Sequence, residues 1–165
     1  MRVKDYMTTH FATILPHTTL SEAVKKMVDE KTNSMVVIDD TEKPVGLISS
    51  HLLIKEVVPD YFKDDPTYSQ YGAEGTFKKY AGEVKDSLVS KFMITDFHTL
   101  TLDDFMIEAA SYMMVDRLRT IPVVDNEKKV VGIISRTAAK KALYDALYDT
   151  KTKNPPEEED EESLL

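Results

Sequence analysis

KPVGLISSHLL, residues 43–53, returns downstream as KVVGIISRTAA, residues 129–139. The echo extends well beyond these eleven positions. A shift of 86 residues lays Val3 on Val89, Met7 on Met93, Phe11 on Phe97, Thr13 on Thr99, Glu22-Ala23 on Glu108-Ala109, Met27 on Met113, Val37 on Val123 and Asp39 on Asp125, without a gap. Of the 55 pairs from Val3/Val89 to Val57/Leu143, 16 are identical, where unrelated sequences would give about three. The chain is a tandem duplication, and a glycine, two apolar residues and a serine occupy the same place in both copies.

Each copy reads as a β-α-β-β-α unit. In the first, ATIL at 12–15 suits a short strand, and Leu20, Ala23, Val24, Met27 and Val28 recur at helical spacing. Thr19 with Glu22 predicts a capping box at the start of that helix. SMVVIDD is a β-branched run closed by turn formers, TEKP turns the chain, and VGLIS returns as the second strand of a hairpin. HLLIKEVV closes the unit as a short helix. In the second copy the helix is expected over 106–116 and the hairpin strands are TIPVVD and VVGIIS. RTAAKKALYDALYD is then a longer amphipathic helix with Ala139, Ala142, Leu143, Ala146 and Leu147 along one face. A unit this small has too few helices to cover its sheet, so two of them should pack on each other. The fold class is therefore α/β (α+β), with units at 1–58 and 85–150.

Length and composition suit an ordinary globular chain: 165 residues, 42% hydrophobic and 30% charged. No run of eighteen apolar residues is available to span a membrane, and MRVKDYMTTH lacks the apolar stretch of a signal peptide. With no cysteine there is no disulfide framework, thiolate zinc site or thiol nucleophile, which fits the cytoplasm. The formal charge of −8 is largely local, because six consecutive acids stand at Glu157–Glu162 and the rest of the chain sums to −2. The folded part carries no global field to draw in nucleic acid. The tail, 151–165, reads as a solvated, disordered end, with a regulatory segment as the alternative.

Between the copies, residues 59–84 form an insert holding Tyr61, Phe62, Tyr68, Tyr71, Phe77 and Tyr80, six of the fourteen aromatics. That is too aromatic for a flexible linker. Phe77, Tyr80, Ala81, Val84 and Leu88 keep helical spacing, so the last third is expected to be a helix feeding the second unit. The insert is expected to pack over exposed sheet or helix surface, with a lid over a ligand cleft or a dimer contact as rival readings.

The ordered set VKDYM, Thr13-Ile14 ten residues before Ala23, VVIDD and GLIS resembles a CBS domain, the module named for cystathionine β-synthase. VSKFM, Thr99-Leu100 ten residues before Ala109, IPVVD and GIIS resemble it more closely still. The resemblance implies a Bateman module: two CBS units about a pseudo-twofold axis, with two clefts between them that hold adenine nucleotides or related adenosyl ligands. It implies that the base lies against the main chain around the first-strand threonine and the h-P-V stretch. The Ser after G-h-h and an Asp three residues later then take ribose and phosphate. Carried over, one cleft would use Thr13, Ile14, Met35, Val36 and Ser49. The other would use Thr99, Leu100, Ile121, Pro122, Val123 and Ser135.

The chain departs from that pattern at one point, twice: Leu52 and Ala138 stand where the ribose-binding Asp is expected. Losing a charge-assisted pair of hydrogen bonds costs a few kcal/mol, or about two decades in affinity. Compensation is expected from Arg136, whose planar guanidinium can clasp a phosphate, and from Arg119 just before TIPVV. His51 stands at the matching rim of the first copy. Surface arginines more often only solvate a rim. The four histidines never fall at i, i+4 spacing, so no metal site is expected. Ser49 and Ser135 lack the G-x-S-x-G setting and a placed His-acid pair, so neither is a candidate nucleophile and no enzyme is expected. Asp39-Asp40 reads as a hairpin turn and Asp103-Asp104 as a helix start.

The expectation that follows is a non-catalytic, cytoplasmic regulatory module. It would bind AMP, ADP, ATP, S-adenosylmethionine or a related adenosyl ligand between its units and signal through their relative orientation. It should pair as a flat homodimer, and with no effector domain in these residues its output would be a regulated protein partner or a change of assembly. Ligand-free scaffolding on degenerate clefts is the alternative. The second copy is the favoured binder, because it has Pro122 and Arg136 where the first has Val36 and Ser50.

Overall fold

The computed structural model describes residues 1–150 apart from 66, 68, 69, 71 and 73. The acidic tail and two insert aromatics, Tyr68 and Tyr71, lie outside the described residues. In chain order the first unit comprises β1 (Thr13–Ile14), α1 (Leu20–Asp29), β2 (Ser34–Ile38), β3 (Pro44–Ser49) and α2 (Ser50–Val57). The insert supplies α3 (Asp60–Asp64) and α4 (Thr76–Val84). The second unit comprises β4 (Leu100–Thr101), α5 (Met106–Val115), β5 (Thr120–Val124), β6 (Val130–Ser135) and α6 (Arg136–Tyr148). Each unit has a three-stranded sheet in which the first strand pairs parallel to the second and the second antiparallel to the third.

Local chemistry accounts for these boundaries. Thr19 caps α1 in a full capping box with Glu22, which satisfies two of the amide donors exposed at the helix start. Asp39 Oδ1 accepts from the amides of Thr41 (2.8 Å) and Lys43 (3.0 Å). Asp125 Oδ1 does the same for Glu127 (2.9 Å) and Lys129 (3.0 Å). Both hairpins thus close on the same aspartate-organised turn. Hydrogen bonding, chiefly from the Thr41 hydroxyl, holds the Asp39 carboxyl below the usual carboxylate range.

The register of 86 reappears in three dimensions. Thr8 pairs with Ile133 of β6, and Ile94 pairs with Leu47 of β3; Arg2 pairs with Phe105, and Leu88 with Thr19. In each case the second contact is the first one shifted by one repeat, which is what a pseudo-twofold axis requires. The segments that open the repeats are therefore exchanged. Val3 and Tyr6 complete the core of the second unit with Leu100, Met113, Ile121 and Ile134. Val89 completes the core of the first with Met35, Val37 and Ile48. The opposite faces of the sheets meet across the axis through Val36, Leu47, Leu118 and Ile133.

The exchange explains the glycine of the repeated motif. A Cβ on Gly132 would stand 2.9 Å from the Thr8 carbonyl oxygen and 3.0 Å from Met7 Sδ, and one on Gly46 would collide with the Met93 side chain. The glycines let the crossing segment lie directly on β3 and β6.

Tyr6 anchors the N-terminal segment chemically as well. Its hydroxyl donates to Asp145 Oδ2 at 3.0 Å, and Asp145, only 4% exposed, also accepts from the Thr150 hydroxyl at 2.8 Å. Burial first, then the hydrogen bond and charge of Asp145, push the Tyr6 hydroxyl up to about 12. Folding thus retains a proton that the unfolded chain releases near pH 10. The contribution is complete below pH 10 and is lost as pH rises toward 12. Urea denaturation at pH 9 and pH 11 should show this loss in the native chain and a smaller one in Tyr6→Phe; equal losses would contradict the assignment.

Two expectations are corrected by the packing. In α6 the buried residues are Ala138, Ala142 and Asp145, while Leu143 and Leu147 are 59% and 68% exposed. The sheet takes the alanine side, which allows close approach, and the leucines point outward. In α1 only Leu20, Ala23 and Met27 are buried, leaving Val24 and Val28 outside. The insert helix α4 forms as expected and lies against α2. Tyr61, Phe62 and Tyr80 clasp α3 to α4, with ring centroids 4.5 Å apart for the first two and 6.2 Å for Phe62 and Tyr80.

Candidate functional site

Ser34 Oγ and Thr120 Oγ1, related by the repeat, lie 3.0 Å apart and mark the axis where β2 and β5 begin. The starts of these strands and the ends of β3 and β6 open on one cleft of about 1290 Å³ that straddles the axis. Met27, Met35, Ile48, Ile94 and Leu118 supply apolar lining.

The charged lining is of one sign. Lys31, Arg117, Arg119 and Arg136 face the cleft with His51 beside them, and among the described residues the lining includes no Asp or Glu. The chain as a whole has 29 acids against 21 lysines and arginines, so this separation of charge is local. Aligned cations around a wide cleft suit an anion with several oxygens, and arginine suits phosphate best because its donors are fixed in a plane.

Two of the four cations occupy costly positions. Lys31 and Arg117, equivalent under the repeat, follow α1 and α5 with φ of 51° and 55°. Left-handed backbone costs a side-chain-bearing residue about 1–2 kcal/mol, and glycine is the ordinary choice just past a helix end. Long cations at both places argue for use of their charge.

The repeated serines have a structural duty. Ser49 Oγ accepts from the Leu52 amide (3.3 Å) and Ser135 Oγ from the Ala138 amide (3.2 Å), capping α2 and α6. Each hydroxyl still has its own proton to donate into the cleft. The place of the expected Asp is thus the third residue of each helix, filled by half-buried Leu52 and buried Ala138.

Of the residues expected to bind, Met35, Ser49, His51, Leu52, Ser135 and Arg136 line this cleft. Ile14, Leu100, Ile121, Val123 and Ala138 have side chains in the unit cores, and Val36 lies in the cluster on the axis. Pro122 is buried, Thr13 half-buried and Thr99 exposed. None of these nine residues lines the cleft. One such position differs between the copies: Val36 N donates to the Ala12 carbonyl at 3.2 Å, whereas Pro122, its equivalent, has no amide hydrogen to give to His98. Lys31 and Arg117 were not anticipated, although the repeat aligns two cations at the ends of matching helices. No described residue of the insert lines the cleft.

The CBS domain model matches residues 3–59 and 89–145. The chain belongs to the CBS domain family. Among curated relatives, an uncharacterized 17.7 kDa protein of Acidianus ambivalens is 26% identical over 144 residues, covering 87% of this chain and 74% of that protein. CBSX1 of Arabidopsis thaliana, a chloroplastic CBS domain-containing protein, is 27% identical over 136 residues, covering 74% of this chain and 55% of its own length. The crystal structure of CBSX2 from Arabidopsis thaliana superposes with a TM-score of 0.71 at 21% identity, covering 90% of this chain and 98% of that one. CBSX2 has also been crystallised with AMP. The CBS domain pair of protein MJ0100, solved with 5′-methylthioadenosine and S-adenosyl-L-methionine, superposes at 0.66 with 20% identity, over 88% of this chain and 98% of that one. The tandem CBS pair and its mixed α/β architecture are thereby established.

Proposed function

We propose that this CBS pair is a non-catalytic regulatory module that binds an adenine nucleotide in the cleft on its pseudo-twofold axis. The observation that carries the reading is the charge of the lining: among the described residues, four full cations and no carboxylate. Family membership supports the adenosine part, since CBSX2 takes AMP and the MJ0100 pair takes adenosyl ligands. The charge favours phosphates over S-adenosylmethionine, whose sulfonium and ammonium groups would meet Lys31 and the arginines. With no Asp at Leu52 or Ala138, more of the binding energy falls on the phosphates. Signalling is by population shift: a ligand held by both units favours one relative orientation.

The surface that reads out this change is α5 and α6. Ile107, Met114, Leu143 and Leu147 are each more than half exposed on these neighbouring helices, while α4 lies against α2 in the first unit. Pairing of two copies through the second unit would cover them.

Thermal denaturation with AMP, ADP, ATP and S-adenosylmethionine tests the reading. A ligand at 100 times its Kd adds about 2.7 kcal/mol, which raises the Tm of a chain this size by several degrees. The expected order is ATP and ADP above AMP, with S-adenosylmethionine lowest. No rise with any of them at millimolar concentration would favour the ligand-free scaffold instead. Sedimentation velocity on the same ligand-free samples is expected to give a dimer; a monomer at tens of micromolar would contradict pairing through α5 and α6.

A further inference from the structure

We propose that the acidic stretch Glu157–Glu162 docks in the cationic cleft of its own chain and competes there with phosphorylated ligands. The proposal rests on the reading of the cleft as an anion site, but not on which anion fills it. Three observations point to this occupant.

The first is unmet charge. Several lysines elsewhere already face acids: Lys4 meets Asp103 at 2.8 Å, Lys63 meets Asp60 at 2.9 Å, and Lys129 lies 3.6 Å from Glu42. Among the described residues no carboxylate lines the cleft, and no ion pair joins Lys31, Arg117 or Arg136 to another described residue. The second is composition. Six consecutive acids occur once in the chain, and without them its formal charge is only −2. The chain therefore carries one concentrated anionic segment and one concentrated cationic cleft.

The third is reach. The tail leaves from the end of α6, whose first residue, Arg136, lines the cleft. Thirteen helical residues span about 20 Å. Glu157 and Glu162 follow Thr150 by 7 and 12 residues, which extend to about 25 and 40 Å. The segment can fold back along its own helix to the site, and the tether gives it an effective concentration of about a millimolar. A tail held this way would make ligand affinity depend on anything that neutralises or captures it.

The chain has no cysteine, so Ser163→Cys offers a single attachment point for a nitroxide spin label. In ligand-free full-length protein at low salt, the amide signals of Lys31, Arg117 and Arg136 should lose at least about half their intensity. They should recover in an Arg117→Gln/Arg136→Gln background, and on addition of inorganic tripolyphosphate. Broadening confined to the last turn of α6, or persisting unchanged without the two arginines, would overturn the proposal. A second variant, with Glu157, Glu158, Glu159, Glu161 and Glu162 changed to Gln and Asp160 to Asn, should bind ATP about 3- to 10-fold more tightly at low salt, with the difference gone near 0.5 M salt. Equal affinities would also overturn it. If ATP does not bind at all while the label reports docking, the nucleotide reading fails and the tail contact stands.

Discussion

Gly132→Ala is expected to destabilise the protein by about 2–3 kcal/mol, and Gly46→Ala by less. Both substitutions add one methyl group under the exchanged segment of the other unit, and overpacking of this kind costs about 1–3 kcal/mol. The difference lies in what gives way. The methyl on Gly132 meets the Thr8 carbonyl at 2.9 Å, and that same strand bonds Ile133 in both directions, each at 3.0 Å. Relief there means pulling main chain off β6. The methyl on Gly46 meets the Met93 side chain, which can choose another rotamer. Urea denaturation of the two variants measures the difference directly. Equal losses, or a larger loss at Gly46, would contradict the account of why the motif carries glycine.

Much of the architecture was legible because duplication doubles every signal. Strand, helix and turn assignments in one copy could be checked against the other, and the aspartate turns, the Thr19 cap and both hairpins lie where the patterns place them. The exchange of opening segments was not legible in the same way. Val3 and Tyr6 pack on residues about a hundred positions away, and no local periodicity records that. Its trace was the glycine itself, which reads as part of a pocket until the crossing segment is seen. The two serines carried a similar ambiguity, since a helix cap and a ligand hydroxyl need the same residue.

The site was less legible than the fold. Arg136 and Arg119 could be picked out beside recognisable motif residues, but Lys31 and Arg117 stand after helix ends where long polar residues are commonplace. Only their left-handed backbone and their convergence on one cleft distinguish them. The outward face of α6 was misjudged because its alanines and leucines form one broad apolar strip, and spacing alone does not say which half meets the sheet.

The second large effect concerns these cations. Replacing Arg117 and Arg136 together by glutamine leaves shorter polar side chains and removes both charges. A hydrogen bond to a charged partner contributes about 1.5–3 kcal/mol, so each change should weaken ATP about tenfold or more, and the pair about 100-fold. Adenosine, which has no phosphate, should bind the variant as it binds the native chain. Stability should change little, because Arg136 is exposed and Arg117 gains nothing from its left-handed backbone.

The most direct test of the central claim is calorimetric titration of ATP and of adenosine into native protein and the Arg117→Gln/Arg136→Gln variant. A loss of about 100-fold for ATP with adenosine unaffected is the predicted result. Equal ATP affinities in the two proteins would contradict the claim that the cleft on the pseudo-twofold axis reads phosphate through its cations.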